Sequence, residues 1–96
     1  MKHLSKEHFD LILQEVSKFV FEGKGKERHG KDLDFENQPW KFIADHVGPD
    51  FLTGQAVKKI LELKNLTTSD AYKREIYGAI SYLIMQCMYY EAKNSK

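Results

Sequence analysis

Cysteine is nearly missing from this chain of 96 residues, Cys87 being the only one. A lone thiol excludes an internal disulfide and a zinc site built from one chain's cysteines, and it points to a reducing compartment. Charge of one sign is missing too. Fifteen Lys and Arg stand against fourteen Asp and Glu, a formal net charge of +1, so no global field draws in nucleic acid or anionic lipid. Nucleic acid is therefore not an expected partner, and any anion site has to be local. No stretch reaches the roughly 18 unbroken apolar residues of a membrane span. MKHLSKEHFD carries no apolar signal core, so no membrane partner is expected and the expected setting is cytoplasmic. Alternating runs of Val, Ile and Thr, internal repeats and low-complexity tracts are lacking as well, which argues against a sheet, although a short hairpin within 24–36 stays open.

What remains is the composition of a folded protein, 42% hydrophobic and 30% charged, with length for one domain around one core. Four helical segments are predicted, at about 6–22, 39–47, 51–65 and 69–92. Ser5 caps the first, in which Phe9, Ile12, Leu13, Val16, Phe19 and Val20 recur at helical spacing, and Gly23 supplies its stop. Asn37-Gln38-Pro39-Trp40 starts the second, because proline suits a first turn where its absent N–H has no partner to lose. Trp40, Ile43, Ala44 and Val47 form its buried side, and Gly48-Pro49 breaks it. Leu52, Ala56, Ile60 and Leu63 share a face of the third. Thr67-Thr68-Ser69-Asp70 caps the fourth, where Tyr72, Ile76, Ala79, Ile80, Leu83, Cys87 and Tyr90 repeat at helical spacing and Cys87 reads as a core thiol. That helix also carries Tyr77, Tyr82, Ile84, Met85, Met88 and Tyr89 on its other sides. A helix apolar nearly all round is normally covered on most sides, so self-association through residues 76–90 is expected.

Between the first two helices runs EGKGKERHGKD, residues 22–32 of a loop over 23–36. Lys24, Lys26, Arg28 and Lys31 against Glu27 leave it about +3 before flanking acids are counted. Glycines 23, 25 and 30 would let backbone N–H groups approach an anion, while Arg28 and His29 add directed donors. The order does not fit the Walker pattern, and a solvated connector is the other reading. Trp40 is either a base-stacking platform beside this loop or, with Ile43 and Val47, a core residue. Histidines 3, 8, 29 and 46 lack zinc-hydrolase spacing, and the serines lack a nucleophile-elbow context. Glu15, Glu22, Glu62 and Glu75 lie on three helices, from which bundles can aim carboxylates at magnesium; surface glutamates are the alternative.

Arg74-Glu75-Ile76-Tyr77-Gly78-Ala79-Ile80-Ser81-Tyr82-Leu83 resembles the late helix of the MazG-like all-α NTP pyrophosphatases. The order of Arg28-His29-Gly30, Trp40 and Gln55–Leu63 is similar to that of small phage-borne dATP/dGTP diphosphohydrolase-like proteins. The resemblance implies a nucleotide pocket, with Glu75 at one metal-ligand position. Gly78 stands where the family has a ligating aspartate, and Lys18 stands at the partner position of Glu15. Two of four carboxylates are thus replaced, which implies a pocket kept without the chemistry.

The expectation is an all-α, four-helix bundle-like single domain that forms a homo-oligomer. It binds a nucleotide-like or phosphate-bearing ligand without catalysis, as a sequestering or regulatory protein of phage or mobile-element type. Lys24, Lys26, Arg28, His29 and Trp40 hold the ligand, with no cofactor and no resident metal. The alternative is a module that docks or inhibits a protein partner through an exposed aromatic face, Tyr77, Tyr82, Met85 and Tyr89. A magnesium-dependent nucleotide pyrophosphohydrolase using Glu15, Glu62 and Glu75 is the third reading.

Overall fold

The computed structural model describes residues 1–22 and 38–94. Four α-helices run through them: α1 (Lys6–Glu22), α2 (Pro39–Val47), α3 (Asp50–Glu62, extended by a 3₁₀ turn at Leu63–Asn65) and α4 (Ser69–Asn94). No strand occurs among the described residues.

Each described start has a local cause. The Ser5 hydroxyl accepts the His8 N–H at 3.2 Å, and its carbonyl accepts the Phe9 N–H at 3.0 Å. Those are the donors a helix start leaves unpaired. Pro39 opens α2, with Gln38 in extended conformation before it. Gly48 closes α2 at φ +101°, a backbone that side chains resist, and its N–H reaches the Ala44 carbonyl at 3.0 Å. The chain then turns straight into α3. Thr68 caps α4 through Oγ1 to the Ala71 N–H at 3.2 Å.

The 26 residues of α4, ~39 Å at 1.5 Å per residue, form the spine against which α1 and α3 pack, and α2 lies on α3. One apolar cluster joins Trp40 and Ala44 of α2, Leu52 and Ala56 of α3, and Ala79, Tyr82, Met85 and Tyr89 of α4. Helix α1 contributes nothing to that cluster. Its one fully buried side chain is Val16, and its ties to α4 include a Tyr77–Glu15 hydrogen bond of 3.0 Å and the edge of Phe19 against the Tyr77 ring.

Several faces differ from expectation. Tyr77, Tyr82, Met85 and Tyr89, expected on an exposed aromatic face, are all buried within the single chain. Their rings can turn inward because the tips of two find carboxylates at the edge of the core: Tyr77 donates to Glu15, and Tyr89 to Asp45 at 2.7 Å. In turn Leu83, Cys87 and Tyr90, expected inside, are exposed. In α2, Ile43 and Val47 are exposed, since a two-and-a-half-turn helix reaches the core only through Trp40 and Ala44. In α3 the buried stripe is Leu52, Ala56 and Lys59, and Ile60 faces outward.

Candidate functional site

Two adjoining hollows lie in the groove between α1 and α4. The larger, of about 550 Å³, has Phe9, Ile12 and Ile80 in its walls, and the smaller, of about 170 Å³, has Val20, Ile84 and Met88. Leu13 and Val16 line both, so the hollows form one groove. Among the described residues, no Asp, Glu, Lys or Arg lines either. Phe9 is 65% exposed, and Leu13, Ile84 and Met88 are each more than two fifths exposed. The groove exists because α1 turns a stripe of apolar residues toward α4 while α4 spends Tyr82 and Tyr89 on the opposite side, against α2 and α3. Its chemistry is the burial of apolar surface, and among the described residues the one titratable side chain on it is His8 at one end.

On the other side of α4 is a polar cleft of about 380 Å³ lined by Gln55, Lys58, Lys59, Glu62, Glu75 and Tyr82. Lys59 is buried, with Nζ 3.1 Å from Glu75 Oε1 and 6.0 Å from the Tyr82 ring centre. Its stem lies across Gly78: a Cβ there would come within 2.8 Å of Lys59 Cε and 2.9 Å of Cδ. Glycine sits in mid-helix because the lysine occupies the space. The position where the resemblance expects an aspartate is thus filled by a lysine stem, and Glu75 is engaged by that same lysine. Two lysines and two glutamates leave the cleft balanced in charge.

A third cluster fastens α2 to the end of α4. Asp45 pairs with Lys41 at 2.8 Å and Lys93 at 3.5 Å and accepts the Tyr89 hydroxyl. The Lys41 hydrogen bond, then that of Tyr89, pulls the Asp45 carboxyl down to about 2 from 3.8. Bonding to Asp45 raises the Tyr89 hydroxyl, and burial, aided by Glu15, raises that of Tyr77. A depressed acid stabilises the fold above its unfolded value and loses that contribution as pH falls through its folded value. Asp45→Asn should therefore lower the urea midpoint at pH 7, and the gap to the parent protein should close between about pH 4 and pH 2.

The sequence-derived sites fare unevenly. Lys24, Lys26, Arg28 and His29 lie outside the described residues. Trp40 is a core residue, so its faces are not open to a base. Glu62 and Glu75 share the polar cleft, whereas Glu15 is held by Tyr77 on the α1 side. Among the described residues, no three His, Cys, Asp or Glu side chains gather around a common point where a metal ion could sit. The pairing of Lys59, the packing role of Gly78 and the cluster at Asp45 were missed. Lys59 was within reach, since it continues the Leu52–Ala56 stripe, and a glycine inside a helix is itself a sign of close packing. Compared with protein-family models, curated proteins and solved structures, the chain finds no match.

Proposed function

We propose that this chain is a helical protein-interaction module whose contact surface is the apolar groove between α1 and α4, occupied by the same groove of a second copy. The observation that carries this reading is an apolar groove without a single Asp, Glu, Lys or Arg among the described residues of its walls. Contiguous exposed apolar surface marks an interaction site. In a two-fold dimer each patch meets itself, so a charged groove would meet its own charge, and the described walls of this one carry none. The two α1–α4 pairs would then complete a four-helix arrangement around a shared seam. Self-association through α4 thus uses Ile80, Ile84 and Met88 in place of the inward-facing tyrosines.

Leu13 stands where the hollows meet, so Leu13→Glu places a like charge from each copy at the seam. Sedimentation velocity should show a dimer for the parent protein and a monomer for the variant, with the same helix content by circular dichroism. A parent protein that stays monomeric at all concentrations up to ~1 mM, the weak end of specific association, would remove the reading. A phosphate-bearing ligand on Lys24, Lys26, Arg28 and His29 rests on the sequence pattern, and the helices add only the charge-balanced Lys59 cleft to it.

A further inference from the structure

The larger hollow of the groove ends at Leu4, Ser5 and His8, and the chain there is held in an unusual way. Leu4 has φ +63°, the left-handed region that residues with a Cβ enter at a cost. What holds it is a hydrogen bond from the Leu4 N–H to Nδ1 of His8, 3.0 Å long. The Ser5 hydroxyl completes the turn by donating to the Lys2 carbonyl at 2.5 Å and accepting the His8 N–H. A backbone N–H can only donate, so Nδ1 must be the acceptor and the ring neutral, with its proton on Nε2.

We infer that this turn is a proton-operated latch on the groove, and that protonation of His8 weakens the pairing of two copies. The inference rests on the interaction reading given above. A proton arriving at Nδ1 turns the acceptor into a donor facing the Leu4 N–H, so the bond made by Leu4 itself is lost and the Ser5 hydroxyl's bond to the Lys2 carbonyl is left to span the turn. The rim residues Leu4 and Ser5 leave the end of the hollow. The same proton places a cation in the first turn of α1, where the helix dipole opposes it, and beside the groove of each copy. Charged and titratable groups flank it on both sides in the chain. From the N-terminal segment they are the Met1 ammonium, Lys2 and His3, whose ring meets that of His8 edge-on at 4.9 Å. On α1 they are Glu7, together with Lys6 and Asp10, which pair with each other at 2.6 Å. From α4 the residue lining this end is Ile80, which carries no charge.

The test is sedimentation equilibrium of the full chain from pH 7.5 to 5.5, alongside the Leu4 amide signal in ¹⁵N–¹H spectra. The dimer dissociation constant of the parent protein should rise about tenfold or more across this range, and the Leu4 amide should move together with the His8 ring signals. In His8→Asn, whose Oδ1 can take the place of Nδ1 and does not titrate, both should be flat across this range. His3→Asn should retain the response. An unchanged constant in the parent protein while the Leu4 amide moves would overturn the coupling and leave the groove reading standing. A Leu4 amide indifferent to His8 would overturn the latch itself. A protein monomeric at every pH would bring down the groove reading and this inference together, with the Leu4 signal still reporting the local hydrogen bond.

Discussion

Glu75→Gln is expected to lower the free energy of unfolding by ~2–3 kcal/mol, while Lys59→Met stays within ~1 kcal/mol of the parent protein. The asymmetry follows from which group is left behind. The Lys59 side chain is only 10% exposed and that of Glu75 20%, so removing the carboxylate leaves an ammonium enclosed by the Gly78 notch and the Tyr82 ring. Losing one partner of a fully buried pair costs ~3–5 kcal/mol, and the residual exposure here reduces that figure. Methionine has nearly the length of the lysine stem and fills the notch without a charge, and the freed Glu75 opens onto the polar cleft, where water reaches it. Urea unfolding followed by tryptophan fluorescence reads both variants directly, because Trp40 is the single tryptophan and sits in the core. Equal losses in the two variants would mean that packing, not charge, decides the site. The experiment also separates two meanings of Glu75. As a metal ligand it would be dispensable to the fold, and as the counter-ion of Lys59 it is not.

The elements that were legible in the sequence are those with local causes. Ser5, Pro39, Gly48 and Thr68 act on backbone groups within four residues of themselves, so the helix boundaries they set can be read from short windows. The orientation of α4 could not be read that way. With apolar residues on every side, its periodicity offers several equivalent faces, and the choice falls to partners far along the chain. Asp45 takes the Tyr89 hydroxyl across 44 positions, and Glu15 takes that of Tyr77 across 62. Two carboxylates thus pull a tyrosine-rich face inward that composition alone assigns to the surface, and Cys87 goes outward as a result. The groove was half legible: the Phe9–Leu13–Val16–Val20 stripe was plain, but that α4 leaves it only partly covered depends on where the large side chains of α4 point.

Leu52→Ala is expected to cost ~3 kcal/mol or more, whereas Phe9→Ala should cost at most ~0.5 kcal/mol in the monomer. Leu52 is 0% exposed and lies among Trp40, Ala44, Tyr82 and Met85 or their near neighbours in one cluster, so truncation leaves a void that the helices cannot fully close. Phe9 loses little because little of it is buried. The contrast extends to whole elements. Helix α1 fully buries only Val16 and adds half-buried Ile12, Phe19 and Val20 and one tyrosine–glutamate hydrogen bond, so its amides should exchange with solvent through an opening of lower free energy than those of α3 and α4. If a second copy covers the groove, that gap must depend on concentration, since association stabilises whatever it binds. Raising the protein concentration through the dimer constant should slow exchange in α1 far more than in α3. Leu13→Glu should keep α1 exchange fast at every concentration. Exchange in α1 that is already as slow as in α3 in dilute solution would show that the chain secures this helix alone, leaving the apolar groove without the work of holding two copies together.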